Sequence, residues 1–501
     1  MITNLVILPL LLPLLTAIGL LLALRLLGNP RRWVTAISAG AQLVLALGLV
    51  GATYQAPPLV LAAGGWLAPY GIVLVVDHLA AIMLSLCAFT ALAVTLFGFV
   101  EMPARRSHPL RAPLIQFLVT GINLSFLTGD LFNLFVGFEV MLLSSYALLT
   151  LEADDWDIKH AFPYLALNLL GSTLFLVAAG FAYSIFGSLN FAHIMERGAE
   201  LSGDPRVTLL GLLLLLVFGL KSGLFPLHYW LPNSYPILPV PVAALYAGML
   251  TKVGVYVLLR VFGQVLPPDL PVVHTFLGWM AGATMIIGGL GAVSRGYIRG
   301  ILSFHIVSQI GYMALAVSFF TEYAFAAAII FLAHNILVKS SLFLVGGAIA
   351  VIHHTDNLDR TGGLWRVAPA LGVVFLLQAL SLSGVPPLSG FWGKFMVVKE
   401  GLRLGEYLLV GLSLAAGVLT LFSMLKIWMA CFWREAGPGV ELWLDDARWK
   451  GMTAIVGGVA VVSLAYGLGA EFVLRHALEA ARQLADRSAY VELMLGGGLA
   501  P

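Results

Sequence analysis

The sequence predicts an all-α polytopic membrane protein of about fourteen transmembrane helices, and three observations carry that reading. Of its 501 residues, 60% are hydrophobic and only 10% are charged, a balance outside the range of ordinary soluble domains. Apolar runs of about 20 residues, the length that crosses a bilayer as a helix, recur from end to end. The stretches between them are short, so no soluble domain of useful size fits. A net charge of only +2 argues against nucleic acid as a partner.

The first run, Ile2 to Leu27, lacks a basic leader and a small-residue cleavage site, so it reads as a retained span rather than a signal peptide. Further spans follow at 32–52, 73–99, 111–128, 131–150, 159–186, 207–231, 237–262, 272–293, 299–319, 323–350, 368–400, 406–433 and 450–474. Residues 190–205 read as a short interfacial segment and 475–492 as a polar, partly amphipathic tail helix. An even span count puts both termini on one side. Alternate loops hold fourteen Lys and Arg on the side of Arg31, Arg32, Arg105, Arg106, Arg295, Arg360 and Arg448, against eight on the other. The positive-inside rule therefore places both termini outside the cytoplasm.

Charge inside the spans is the chemical signal. Five lysines, Lys221, Lys252, Lys339, Lys394 and, less deeply, Lys426, lie within apolar segments, and on this reading no arginine does. Five ammonium groups near the bilayer centre would cost about 12–18 kcal/mol, more than the whole net stability of a typical protein. They must be paired, hydrated or deprotonated. Lysine loses its proton readily on burial and arginine does not, so the choice of lysine favours groups that titrate.

Two spans are interrupted in related positions. Gly219-Leu-Lys221-Ser-Gly223-Leu-Phe-Pro226 breaks the seventh, and Ser381-Leu-Ser-Gly-Val-Pro386-Pro387-Leu-Ser-Gly-Phe-Trp-Gly-Lys394 breaks the twelfth. Non-helical backbone in lipid survives only where protein or water satisfies its polar groups, so each break should line an internal cavity. Paired breaks in two halves of a chain point to inverted repeats with a site at mid-membrane.

The acidic partner is expected to be Glu139. If Asp130 marks the surface, nine residues place Glu139 about 13 Å deep, facing the bundle interior. One acid cannot neutralise four bases. His334 and Lys339 lie five residues apart, off a common helical face, yet a flexible lysine stem can reach the same path. His305 either extends that path or bonds a neighbouring helix. Asp77 and His78 open the third span as a path element or a surface capping pair, and Lys426 can simply snorkel outward. His353-His354-Thr-Asp356 reads as a structural loop rather than a metal cluster, so no metal is expected. Gly289-Leu-Gly291 lacks the third glycine of a dinucleotide fingerprint. Cys87 and Cys431, both in apolar segments, make no disulfide framework.

Glu139 in Phe-Glu-Val-Met, Lys221 in Gly-Leu-Lys-Ser-Gly-Leu-Phe-Pro-Leu-His-Tyr-Trp-Leu-Pro and Lys252 in Met-Leu-Thr-Lys-Val-Gly-Val-Tyr together resemble the antiporter-like membrane subunits. These belong to Mrp-type multisubunit sodium/proton antiporters, the membrane arm of respiratory complex I and membrane-bound hydrogenases. The resemblance covers nearly the whole chain. It implies two inverted five-helix repeats, 111–262 and 272–433, preceded by three helices in 1–110 and followed by a helix and tail in 434–501. It also implies a polar axis, matched here by Glu139, Lys221, Lys252, His334 with Lys339, and Lys394. Lys394 on the twelfth helix, the chain length and the segment Gly129–Leu142 resemble the D-type Mrp subunits most closely.

The resemblance further implies a proton-translocating subunit without a cofactor, in a bacterial-type cell membrane, working with other membrane subunits to exchange protons against a monovalent cation such as sodium. A proton-pumping subunit of a complex I or hydrogenase assembly is the alternative. A membrane scaffold that only locks helices together is a reading of a different class, as is an intramembrane enzyme acting on lipids.

Overall fold

The computed structural model describes residues 2–23, 30–102, 108–437, 442 and 446–495. The end of the first expected span, 24–27, and two of the counted loop arginines, Arg105 and Arg106, lie outside the described residues. The helices are α1 Leu8–Leu22, α2 Pro30–Thr53, α3 His78–Glu101, α4 Arg111–Leu127, α5 Leu131–Thr150, α6 Asp155–Phe186 and α7 Phe191–Glu200. Then come α8 Pro205–Ser222, α9 Trp230–Ser234, α10 Val240–Arg260, α11 Pro271–Ser294, α12 Ile298–Ser318, α13 Glu322–His353 and α14 Leu364–Val367. The last are α15 Pro369–Ser383, α16 Ser389–Arg403, α17 Tyr407–Trp428, α18 Asp446–Leu468, α19 Ala470–Ala485 and α20 Arg487–Leu495.

Among the described residues twelve helices are long and apolar enough to cross a membrane, and α4 and α15 are shorter apolar helices. The expected count of fourteen rests on counting those two as spans. The helices are not equivalent. The apolar window of α10 is wholly buried, and those of α12 and α13 are 94% and 89% buried, whereas α1 and α18 bury only 28% and 33%. The chain thus surrounds three central helices with others that keep an apolar face for lipid.

Side-chain caps set many of the helix starts. Asp77, Asp130, Asp154, Asn190, Asp204 and Thr321 each accept a backbone N–H of the first turn, satisfying donors that a helix leaves open. The third span begins differently from expectation. Val73–Val76 is a strand paired antiparallel with Leu59–Ala62, and the helix starts only at His78. The β-branched run Val73-Leu-Val-Val suits a pleated edge better than a helix start.

One device occurs twice. Asp130 bridges Asn190 and Tyr297 bridges Asn357, each pair shifted by 167 residues in the chain. The caps Asp154 and Thr321 share that shift, and each opens a helix of 32 residues. Leu165-Ala-Leu-Asn168 on α6 recurs at the same spacing as Leu332-Ala-His-Asn335 on α13. The expected interfacial segment is α7, and the expected tail helix is the pair α19 and α20.

Candidate functional site

The two breaks are built alike. α8 ends at Ser222 with Gly223 at φ 82°, and α15 ends at Ser383 with Gly384 at φ 89°. That left-handed conformation suits glycine and closes a helix by returning N–H groups to its last carbonyls. Gly223 N–H reaches Gly219 and Leu220, and Gly384 N–H reaches Leu380 and Ser381. The remaining carbonyls, each with partial negative charge at a helix C-terminus, lie inside the protein.

Lysines gather at these ends. Lys394, on the first turns of α16, donates from Nζ to the carbonyls of Leu382 at 3.0 Å and Ser383 at 3.2 Å. Its ammonium also lies 4.7 Å from the centroid of the Tyr312 ring, a favourable placement for a desolvated cation. A cavity of about 370 Å³ adjoins it, lined in part by Tyr312, Ser383, Gly384 and Ser413 and also by the exposed Phe395, Leu414 and Val418, so it is open to the surface rather than internal. Lys221, in the last turn of α8, donates to the Asn168 carbonyl at 2.8 Å and to Ser172 Oγ at 2.9 Å, both on α6. Lys252 on α10 donates to the Ala247 carbonyl of its own helix. Lys339 on α13 is fully buried, and its Nζ has no hydrogen-bond partner.

Glu139 departs from its expected place beside Lys221. It is half-buried rather than turned wholly inward, one carboxylate oxygen has no partner, and Lys221 is held by α6 instead. Lys221 is tied to α6 because Asn168 and Ser172 present acceptors one turn apart on the face that α8 packs against.

In the second half the groups are closer together. His334 Nδ1 bonds Ser389 Oγ at 2.8 Å, and its Nε2 has no partner. His305 bonds Ser423 on α17 through Nε2 at 2.7 Å, leaving Nδ1 without a partner. His305 thus bonds a neighbouring helix, one of the two readings considered for it. His334 and Lys339 are both fully buried on α13.

Other expectations are corrected. Arginine is present in the spans: Arg260 on α10 is buried and forms an ion pair with Asp77, one of its bonds being Nη2 to Oδ1 at 2.9 Å. Tyr256 and Gln264 complete its shell. Asp77 is therefore a buried cap and counter-ion rather than a surface pair. His78 is also buried, bonded to Thr53 at 3.0 Å and to His476 of α19 at 2.9 Å. Among the described residues, neither bonds any of the four lysines.

Lys426 donates to the carbonyls of Val293 and Arg295 at the end of α11, so it reaches outward. His353 bonds backbone at Ile349 and Gly362, and Asp356 pairs with Arg299, which makes that loop structural. No group of three potential metal ligands occurs among the described residues. Sequence reasoning missed Asn168, Ser172, Tyr312 and Ser389. The Leu-Ala-x-Asn recurrence marks Asn168 as a repeated position but does not say that Lys221 would reach it, and Ser172 lies outside it.

A family model described as NADH:quinone oxidoreductase/Mrp antiporter, TM, matches residues 128–420. The chain is 39% identical to the D subunit of the Na(+)/H(+) antiporter of Alkalihalophilus pseudofirmus over 98% of its length and 99% of the relative's. It is 36% identical to the same-named protein of Bacillus subtilis, over 98% and 99%. Among solved structures, it resembles a chain of the Mrp complex from Dietzia sp. DQ12-45-1b with a TM-score of 0.91 at 30% identity, covering 98% of this chain and 100% of that one. A chain of respiratory complex I from Thermus thermophilus matches with a TM-score of 0.75 at 26% identity, covering 93% and 98%. With a matching family model over more than half its length and relatives aligned nearly end to end, the chain belongs to the NADH:quinone oxidoreductase/Mrp antiporter family of membrane subunits.

Proposed function

We propose that this chain is the D-type membrane subunit of a multisubunit sodium/proton antiporter and that it carries protons along Glu139, Lys221, Lys252, the His334/Lys339 region with His305, and Lys394. One observation carries the reading: among the described residues, none of these four lysines has a carboxylate within ion-pair distance, and Lys339 has no hydrogen-bond partner. A permanently charged amine so placed costs several kcal/mol. An amine that is neutral for part of each cycle avoids that cost, and a series of such amines can pass a proton along. Carbonyl and hydroxyl acceptors hold the charged form without locking it as a carboxylate pair would.

The subunit acts as a transporter component rather than an enzyme, alongside other membrane subunits. Its repeat units are 111–262 and 272–433, a division supported by the recurrent bridges and caps, and both termini lie outside the cytoplasm. Lys221→Ala and Glu139→Gln are each expected to abolish proton-coupled sodium exchange in vesicles while the complex still assembles. Full exchange in both assembled variants would reject the axis. The match to complex I favours a second reading, a subunit of a quinone-reducing complex. Quinone-reducing subunits rather than antiporter subunits would then co-purify with the chain.

A further inference from the structure

Three serines from three helices meet at Ser389, which alone of them reaches His334. Ser389 Oγ, on the first turn of α16, lies 2.8 Å from His334 Nδ1, 2.8 Å from Ser381 Oγ on α15 and 3.3 Å from Ser463 Oγ on α18. All three are at most 2% exposed. Helical serines in this protein commonly donate back to a carbonyl one turn earlier, as Ser340 and Ser423 do. Among the described residues, none of these three does so, and their hydroxyl bonds run only to one another and to the imidazole. A hydroxyl that is free of the backbone can accept from one neighbour while donating to the next.

The other ring nitrogen completes the arrangement. His334 Nε2 has no partner, and it sits against Gly390, where a Cβ would come within 2.9 Å of it. Gly390 and Lys394 lie four residues apart on α16, so the edge of the ring that carries the open nitrogen packs against the helix that bears Lys394. Ser463 is five residues before the end of α18 at Leu468, roughly 7 Å along the helix axis. That end of α18 leads directly into α19.

We infer that Ser389 carries protons from His334 to Ser463, as the first step of a branch leading from the mid-membrane axis toward the side of the tail helices. The inference rests on the proton axis proposed above. A lysine ammonium gives a proton to Nε2 of the neutral Nδ1–H imidazole. The resulting imidazolium gives its Nδ1 proton to Ser389 Oγ as Ser389 passes its own hydrogen to Ser463 Oγ, and Ser463 passes one to water. One proton enters, one leaves, each hydroxyl ends with one hydrogen, and the imidazole ends as its Nε2–H tautomer, which turning of the ring and of the hydroxyls returns to the starting state. Ser381 holds Ser389 in register.

The test uses the whole antiporter complex in proteoliposomes, with sodium-driven proton movement measured in H2O and D2O. Ser389→Ala is expected to lower the rate at least about tenfold, Ser389→Thr to restore it to within about twofold, and Ser463→Ala to lower it as Ser389→Ala does. An assembled Ser389→Ala complex with unchanged rate and isotope effect overturns the relay, as does a Thr variant that fails to recover. Should Ser389→Ala not assemble, Ser463→Ala decides, because an unchanged rate there removes the branch. His334→Ala separates the two ideas: loss of exchange in His334→Ala but not in Ser389→Ala sinks only the relay, whereas full exchange in both sinks the axis itself.

Discussion

A lysine kept fully buried and without a hydrogen-bond partner makes no contribution to folding that methionine of similar volume could not exceed. Lys339 is that residue. Lys339→Met is expected to raise the thermal stability of the complex by about 1–3 kcal/mol, the desolvation cost of an unsatisfied polar group, while exchange is lost. A lower melting temperature together with lost exchange would instead mark Lys339 as a structural post. Arg260 behaves in the opposite way. Its pairing with Asp77 lies deep in the protein, and removing one partner strands the other charge. Asp77→Leu or Arg260→Met is expected to cost about 3–5 kcal/mol, and the two together much less than the sum. Thermal unfolding of the four variants in detergent measures the cycle, and additive losses would show that the two charges do not depend on each other.

At the scale of the element, the breaks in α8 and α15–α16 share a backbone but differ in what they hold. Gly223 and Gly384 both have positive φ, so an alanine at either costs about 1–2 kcal/mol in backbone strain. A Cβ on Gly384 would also lie 2.8 Å from Lys394 Cδ, whereas one on Gly223 meets only a leucine methyl at 3.3 Å. Gly384→Ala is therefore expected to reduce exchange more than Gly223→Ala for a similar loss of stability. Equal losses of exchange would place the effect in the backbone alone. The breaks themselves were legible in the sequence, because glycine and proline act through local geometry. The partners of Lys221 were not, since Asn168 and Ser172 are ordinary residues of an apolar helix until α8 is packed against it.

For the whole molecule, α19 fastens the tail to the start of the bundle. Gln483 accepts from His78 N–H at 2.9 Å and donates to the Thr53 and Ala56 carbonyls at 3.1 Å each, while His476 bonds the His78 ring. Gln483→Ala leaves those backbone groups without partners and is expected to cost about 1–3 kcal/mol. The same change should increase hydrogen exchange at the His78 amide, which loses its acceptor, read by mass spectrometry. Unchanged protection there would mean that the tail does not secure the start of α3.

What the chain determines by itself is a matter of near neighbours: which segments are apolar enough to cross a membrane, where they break, and which amines are carried inside. Each depends on residues within a single span, so each can be read without a structure. Tertiary packing decided the pairings. Arg260 finds Asp77 across 183 residues, and Lys221 finds the Asn168 carbonyl across 53. Whether Glu139 touches Lys221 was likewise settled by how the helices pack. Hydrogen bonds form within about 3 Å and along set directions, and no pattern along one helix says which face of another will come that close.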